Sequence, residues 1–147
     1  RGIEMQEQRS ADPGEFSSLI TAELMTDQKM SVAAGTIFGN DMPRLVRKGD
    51  CPVESRLDGV LMVFSHRDQP GVIGRVGTVF GKHRLNIAQM SVGRSADKPG
   101  GEAIGVLALD SQPPAEALAE VLALNEITNA WIVNLPAASE TPSWMGG

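Results

Sequence analysis

Apolar and polar residues change their spacing near residue 59, and the part after that point has the clearer pattern. Apolar residues alternate with polar ones over 86–94, which is typical of a strand with one buried face. Over 71–82 they recur every three to four residues, which predicts a helix. The remaining elements of this part are predicted as strands over 60–65, 102–109 and 127–135 and a second helix over 113–124. The order β-α-β-β-α-β is that of ferredoxin-like folds.

Each predicted helix has an apolar stripe that is expected to face the sheet. The stripe of the first helix comprises Val72, Ile73, Val76, Val79 and Phe80, and that of the second comprises Leu118, Val121 and Leu122.

Residues 1–58 contain short extended runs and no convincing helical pattern. Ile3 and Met5 alternate with Glu4 and Gln6, which predicts a strand over 2–9. Further strands are predicted over 16–25, 30–38, 44–47 and 53–56, with turns at 12–14, 26–29, 39–41 and, in the second part, 96–101. Short strands at regular spacing favour an antiparallel meander.

The predicted fold class is therefore α+β. An antiparallel β-meander over 1–58 precedes a ferredoxin-like βαββαβ domain over 59–136, and a flexible tail follows over 137–147. A meander without a helix leaves one face of its sheet uncovered. We expect a second subunit, or a preceding part of a longer protein that begins before Arg1, to cover that face.

Composition narrows the function classes. The net charge of −5 argues against nucleic acid or an anionic membrane as the main partner. The chain contains no apolar run near the ~20 residues of a membrane span, and its polar start is unlike a signal peptide. The single cysteine, Cys51, excludes an internal disulfide and a cysteine-rich zinc site. We therefore expect a cytoplasmic protein without a structural metal ion.

Two glycine motifs resemble nucleotide-binding loops but have the wrong spacing. Gly71, Gly74 and Gly77 follow G-x-x-G-x-x-G, whereas the dinucleotide motif is G-x-G-x-x-G. Gly77 and Gly81 are separated by three residues where the phosphate loop has four, and Lys82 is followed by neither Ser nor Thr. We interpret these glycines as packing positions on the first helix. The sequence also contains no recognisable nucleophile–base set, so we predict that this chain alone is not catalytic.

The stretch SHRDQPGVIG joins the first strand of the second part to its helix. His66 and Asp68 lie at alternate positions and therefore on one side of the backbone. Free N–H groups of Val72 and Ile73 at the helix start would bind a carboxylate, and Asp68 beside them would bind an ammonium group. This combination suits a free amino acid. The plainer alternative is that Asp68 caps the helix and His66 is a solvated strand end.

The second part closely resembles an ACT domain, the amino-acid-sensing βαββαβ module of many metabolic enzymes. The residues that carry the resemblance are LMVFSHRDQPGVIGRVGTVFGKHRLNIAQMSVGR, GGEAIGVLALD and ITNAWIVNL. The D-x-P-G-V-I-G core, with Asn-Ile-Ala starting sixteen residues after its proline, is similar to the serine-sensing domain of the D-3-phosphoglycerate dehydrogenase family. Upstream, the segments GIEMQEQRS, LITAEL, SVAAGTIFG and PRLVRKGDCPVESRLDGVLM resemble the second half of that family's allosteric substrate-binding domain.

The resemblance implies a regulatory fragment of an oxidoreductase. L-serine, or another small amino acid, would bind between the ACT domains of a homodimer and inhibit the first committed step of serine synthesis. The implied effector site comprises His66, Asp68, Gly71, Val72 and Ile73 of one subunit and Asn86 of the other. The resemblance implies no cofactor in this chain, since NAD would be bound by catalytic domains that this chain lacks.

Two other functions stay open at this point. The chain would also suit the regulatory part of an iron–sulfur L-serine dehydratase, or a structural dimerisation module without ligand. The resemblance further implies an anion site in the first part, with Arg44, Arg47 and Lys48 as its candidates. For these three residues the alternative is a solvated, charged strand.

Overall fold

The computed structural model describes residues 3–12, 14–39, 41–96, 99–137 and 140, and these form two antiparallel sheets and two helices. The elements are β1 (Ile20–Met25), β2 (Met30–Phe38), β3 (Met42–Lys48), β4 (Cys51–Arg56), β5 (Val60–Arg67), α1 (Val72–Lys82), β6 (Ile87–Arg94), β7 (Glu102–Leu109), α2 (Ala115–Leu122) and β8 (Ile127–Asn134). The predicted α+β class is confirmed. The tail over 137–147, predicted to be flexible, lies almost entirely outside the described residues.

The first sheet is a meander in which each strand pairs with the next along the chain, in the order β1-β2-β3-β4. The turn between β1 and β2 is closed by a hydrogen bond from the Thr26 N–H to the Lys29 carbonyl, at 2.9 Å. Strand β2 has the predicted bounds. Strand β1 is exposed along all of its six residues, so it contributes little to the core.

The strand predicted over 2–9 is wrong. Residues 3–10 form no strand and are exposed, including Ile3 and Met5, which are 88% and 87% accessible. The first strand begins instead at Ile20, later than the predicted 16. Alternation alone does not make a strand, because its apolar face needs a partner surface to bury it.

The second sheet has the order β6-β7-β5-β8, and both helices pack on one of its faces. This is the predicted ferredoxin-like topology. The core between helices and sheet contains Met62, Phe64, Val72, Val76, Phe80, Leu107, Leu109, Val121, Ile127 and Ala130. Leu122 was predicted to face inward but is 45% exposed, and Ala117 is buried in the same helix instead.

The other face of the second sheet is covered by the first sheet. Leu45, Cys51 and Val53 of the meander pack against Val63 and Val106. One face of the meander is therefore covered by the same chain, and cover of its other face by a preceding part or a second subunit stays a prediction.

The backbones of the two sheets are in close contact where β4 packs on β6. A Cβ atom on Gly93 would lie 1.8 Å from the carbonyl oxygen of Pro52 and 3.2 Å from the Cβ of Val53. Only glycine fits at position 93, because the contact is between two backbones.

An acidic side chain on α2 ties the two helices together. Oε1 of Glu120 lies 2.8 Å from Nζ of Lys82 and 3.0 Å from Nε2 of His83. Hydrogen bonds from Lys82 and His83 hold the pKa of Glu120 below its ordinary value of 4.5. A lowered carboxyl pKa stabilises the fold above the unfolded-state pKa, and this contribution is lost as the pH falls through the folded-state pKa.

We therefore expect Glu120→Gln to lower the melting temperature slightly at pH 7, because exposed ion pairs contribute little. The difference from the unmodified protein should shrink as the pH falls below 4.5, the ordinary pKa of this side chain. Melting curves recorded by circular dichroism at several pH values measure both effects. A difference of the same size at acidic and neutral pH would contradict the role given to these hydrogen bonds.

Candidate amino-acid-binding site

The connection between β5 and α1 leaves backbone donors free at the helix start. Helix α1 begins at Val72, and Gly71 precedes it in the left-handed conformation with φ of 86°. The first helical hydrogen bond runs from the Arg75 N–H to the Gly71 carbonyl, at 3.0 Å. The N–H groups of Val72 and Ile73 donate to no acceptor among the described residues. Among the described residues no side chain caps this helix, so the alternative that Asp68 is its cap is wrong.

His66 lies at the end of β5 and is only 3% exposed. Its Nδ1 is 2.8 Å from the carbonyl oxygen of Arg67. A carbonyl oxygen only accepts hydrogen bonds, so Nδ1 is the donor, and Nε2 is an acceptor when the ring is neutral. Nε2 is buried and has no partner in the described part of the chain. The alternative that His66 is a solvated strand end is therefore wrong.

Asp68 follows β5 directly, and its side chain is only 15% exposed. Oδ2 of Asp68 lies 3.3 Å from Nε of Arg94, which is close enough for an ion pair. The two groups are not aligned as a hydrogen bond, and Oδ2 has no hydrogen-bond donor among the described residues. The carboxylate thus has a buried oxygen without a hydrogen-bond donor, in the connection that leads to the free N–H groups of α1.

Asn86 lies at the opposite end of the second sheet. Because β5 and β6 both pair antiparallel with β7, they run in the same direction. Asn86 precedes the start of β6, whereas Asp68 follows the end of β5, so the sheet places them roughly 25 Å apart. The amide of Asn86 donates to Oδ2 of Asp110 at 2.6 Å. Within one chain, Asn86 therefore does not reach the group formed by His66, Asp68 and the helix start.

The polar groups at this connection have the charges and hydrogen-bonding roles that a small zwitterion requires. Three buried side-chain N or O atoms lack a hydrogen-bond partner in the described residues, and two of them are Nε2 of His66 and Oδ2 of Asp68. A carboxylate attracts an ammonium group, and free N–H groups at a helix start attract a carboxylate.

Comparison with known proteins identifies the second part. The model of the ACT domain family matches residues 60–126. These residues form an ACT domain.

Similarity to curated proteins extends beyond the ACT domain. A D-3-phosphoglycerate dehydrogenase of Archaeoglobus fulgidus is 39% identical over 135 residues, which is 92% of this chain and 25% of that protein. The enzymes of the same name from Methanocaldococcus jannaschii and Synechocystis are 36% and 30% identical, over 79% and 92% of this chain and 21% and 24% of theirs. The chain therefore spans about a quarter of the length of these relatives.

Arg94 lies beside Asp68 in the candidate site, and the sequence analysis missed it. It is the last residue of β6, and it pairs with Ala103, which in turn pairs with His66. The alternation over 86–94 indicated a strand, but only the register of three strands brings position 94 beside Asp68. A charged residue at the end of a strand that enters a polar loop was the only local signal.

The three candidates for an anion site lie in two different concavities between and beside the sheets. Arg47 and Lys48 line a cleft of about 410 Å³, together with Lys29 and, from the ACT domain, Glu102. Arg44 lines a separate hollow of about 300 Å³. An anion site made of all three is therefore not supported by the geometry, and a site for an anion at either place stays a prediction.

Lys48 has an unusual environment in the larger cleft. Its Nζ lies 2.6 Å from Oγ of Ser31 and 5.9 Å from the ring centre of Trp131. Burial, and then the positive charge of Lys29, lower the pKa of Lys48.

The described residues meet the requirements of neither a metal site nor a membrane-spanning helix. These contain no cluster of three or more His, Cys, Asp or Glu side chains suited to a metal ion. No helix among them has the length and apolar character needed to cross a membrane.

Proposed function

We propose that this chain is an amino-acid-sensing regulatory region and that its ACT domain binds L-serine. The observation that carries the proposal is that Nε2 of His66 and Oδ2 of Asp68 are buried without a hydrogen bond, in the connection that leads to the free N–H groups of α1. A buried polar atom without a partner costs about 1–3 kcal/mol. A ligand that supplies the missing partners would remove that cost.

Each group of serine has a complementary partner at this connection. The ammonium group would donate to the carboxylate of Asp68, and the carboxylate would accept from the N–H groups of Val72 and Ile73. The hydroxyl group would donate to Nε2 of His66. In the neutral ring Nε2 is the acceptor, because Nδ1 donates its hydrogen to the carbonyl oxygen of Arg67. An amino acid without a hydroxyl group would leave Nε2 unpartnered, so it should bind more weakly.

The proposal includes a homodimer formed through the edge of the ACT sheet. Strand β6 is an edge strand, and Met90 and Val92 on it are 37% and 48% exposed. An edge strand with exposed apolar residues is suited to pairing with a second copy of itself. If the two-fold axis passes near Met90, Asn86 of one chain comes opposite Arg94 of the other, since both are four residues from Met90. Asn86 of the partner subunit would thus complete the site beside Asp68.

We further propose that the complete enzyme is a D-3-phosphoglycerate dehydrogenase of L-serine biosynthesis and that L-serine, the end product of that pathway, inhibits it by feedback. The relatives that carry this name support the proposal, and they are about four times as long as this chain. Their remaining length has room for catalytic domains, where NAD would be bound.

Titration with L-serine tests the proposed function. We expect isothermal titration calorimetry to show saturable binding of one serine per chain, and millimolar serine to raise the melting temperature. L-alanine, which lacks the hydroxyl group, should bind more weakly by about tenfold, as one lost hydrogen bond predicts. A dimeric sample that shows neither heat nor a thermal shift with millimolar serine would refute the proposal.

A further inference from the structure

We propose that Arg94 is a removable counter-ion of the effector site: it holds the carboxylate of Asp68 in the free protein and is displaced by the ammonium group of the bound amino acid. This inference rests on the proposed function and adds a residue that sets the affinity for the effector.

The two partners of the ion pair differ in their freedom to move. The side chain of Arg94 is 50% exposed, whereas that of Asp68 is 15% exposed. Nε of Arg94 approaches Oδ2 of Asp68 to 3.3 Å without the alignment of a hydrogen bond. An exposed, poorly aligned arginine is released into water at small cost, while the buried carboxylate stays where it is.

The backbone of Asp68 is fixed independently of Arg94. Its N–H donates to the carbonyl of Gly101 at 2.8 Å, and its carbonyl accepts from the N–H of Gly100 at 3.0 Å. Release of Arg94 would therefore leave the carboxylate in position for another cation.

Charge balance favours an exchange rather than simultaneous binding. A buried carboxylate without a cation is costly, so the free site needs Arg94. An effector ammonium group offers the same charge with three donors and can reach the Oδ2 that Arg94 leaves without a hydrogen bond. Because Arg94 competes with the ammonium group, its presence weakens the binding of the effector.

The test compares Arg94→Gln with the unmodified protein by calorimetry, using L-serine and glycerate. Glycerate has the carboxylate and hydroxyl groups of serine but a second hydroxyl group in place of the ammonium. The matched control is Arg56→Gln, because Arg56 pairs with Asp58 at 2.8 Å and the exposures of that pair, 47% and 15%, resemble those of Arg94 and Asp68.

We expect Arg94→Gln to tighten L-serine binding by about two- to fivefold, the effect of removing one partly exposed competing ion pair. Glycerate binding should be unchanged, and Arg56→Gln should change neither. Serine should also raise the melting temperature of Arg94→Gln more than that of the unmodified protein.

Other results would overturn the inference. Weaker binding of both ligands by Arg94→Gln would mean that Arg94 holds the effector carboxylate, and unchanged serine binding would mean that it has only a structural role. In both cases the proposed function stands, because the unmodified protein binds serine. If the unmodified protein binds no serine at millimolar concentration, the proposed function fails, and the inference fails with it.

Discussion

Replacement of Gly93 by valine is expected to lower the free energy of unfolding by about 3 kcal/mol and to separate the two sheets. Any side chain at this position enters the space of the Pro52 carbonyl oxygen, which a Cβ atom would approach to 1.8 Å. The obstacle is backbone, so no rotamer change relieves it. In a strand without this contact, valine would be the more favourable residue. The sign of the effect therefore reports the contact between β4 and β6.

Chemical denaturation followed by the fluorescence of Trp131 measures this effect, because Trp131 packs against the core between the sheets. The chain has two tryptophans, so the measurement uses a Trp144→Phe background. Gly74→Ala is the control: a Cβ atom there meets nothing within 4 Å, and alanine in a helix should add up to about 1 kcal/mol. If Gly93→Val unfolds like the unmodified protein with the same Trp131 emission, the sheets do not pack as described.

Asp68→Ala should weaken the binding of L-serine by about 10- to 100-fold, the equivalent of one charge-assisted hydrogen bond. The variant removes the only carboxylate that the connection between β5 and α1 offers to an ammonium group. Asp58→Ala is a matched control, since Asp58 is also 15% exposed and paired with an arginine but lies at the other end of β5. Calorimetry should show serine binding by Asp58→Ala that equals that of the unmodified protein. Equal affinities of all three proteins would exclude Asp68 from the site.

A mixture of Asp68→Ala and Asn86→Ala chains then tests whether two subunits share each site. Neither variant alone has an intact site, but a mixed dimer has one intact site and one with both defects. Free exchange of subunits should restore tight binding at about a quarter of the sites. Absence of any recovery in a sample that is shown to exchange subunits would mean that Asn86 does not act across the dimer.

The second half of the fold could be predicted from the sequence because its local signals are strong. The apolar stripe of α1 and the alternation of β6 each span two or more repeats. The apolar face that this pattern predicts for the helix packs against Met62, Phe64 and Leu107 of the sheet. Ile3 and Met5 show the limit of the same reasoning. Their alternation is as regular, yet no described surface covers them, and the pattern of one segment does not state whether a partner surface exists.

The candidate site also has one part that the sequence predicts and one part that depends on strand pairing. His66, Asp68 and the start of α1 are neighbours in the chain, so their geometry follows from one strand end and one helix start. Arg94 reaches Asp68 only through the pairing of β6 with β7 and of β7 with β5, and the sequence does not give that register. The distance of Asn86 from Asp68 has the same origin, and it means that the two residues can belong to one site only if two chains share that site.

The alternation of β5 has a mechanical consequence for the whole chain. Ser65 lines the cleft between the two sheets, and His66, the next residue, lies on the helix side at the candidate site. The backbone at the end of β5 therefore separates the cleft between the sheets from the candidate site. A displacement of this backbone toward one side would change the shape of the other side as well. We therefore expect the packing of the meander to respond to a ligand bound beside His66.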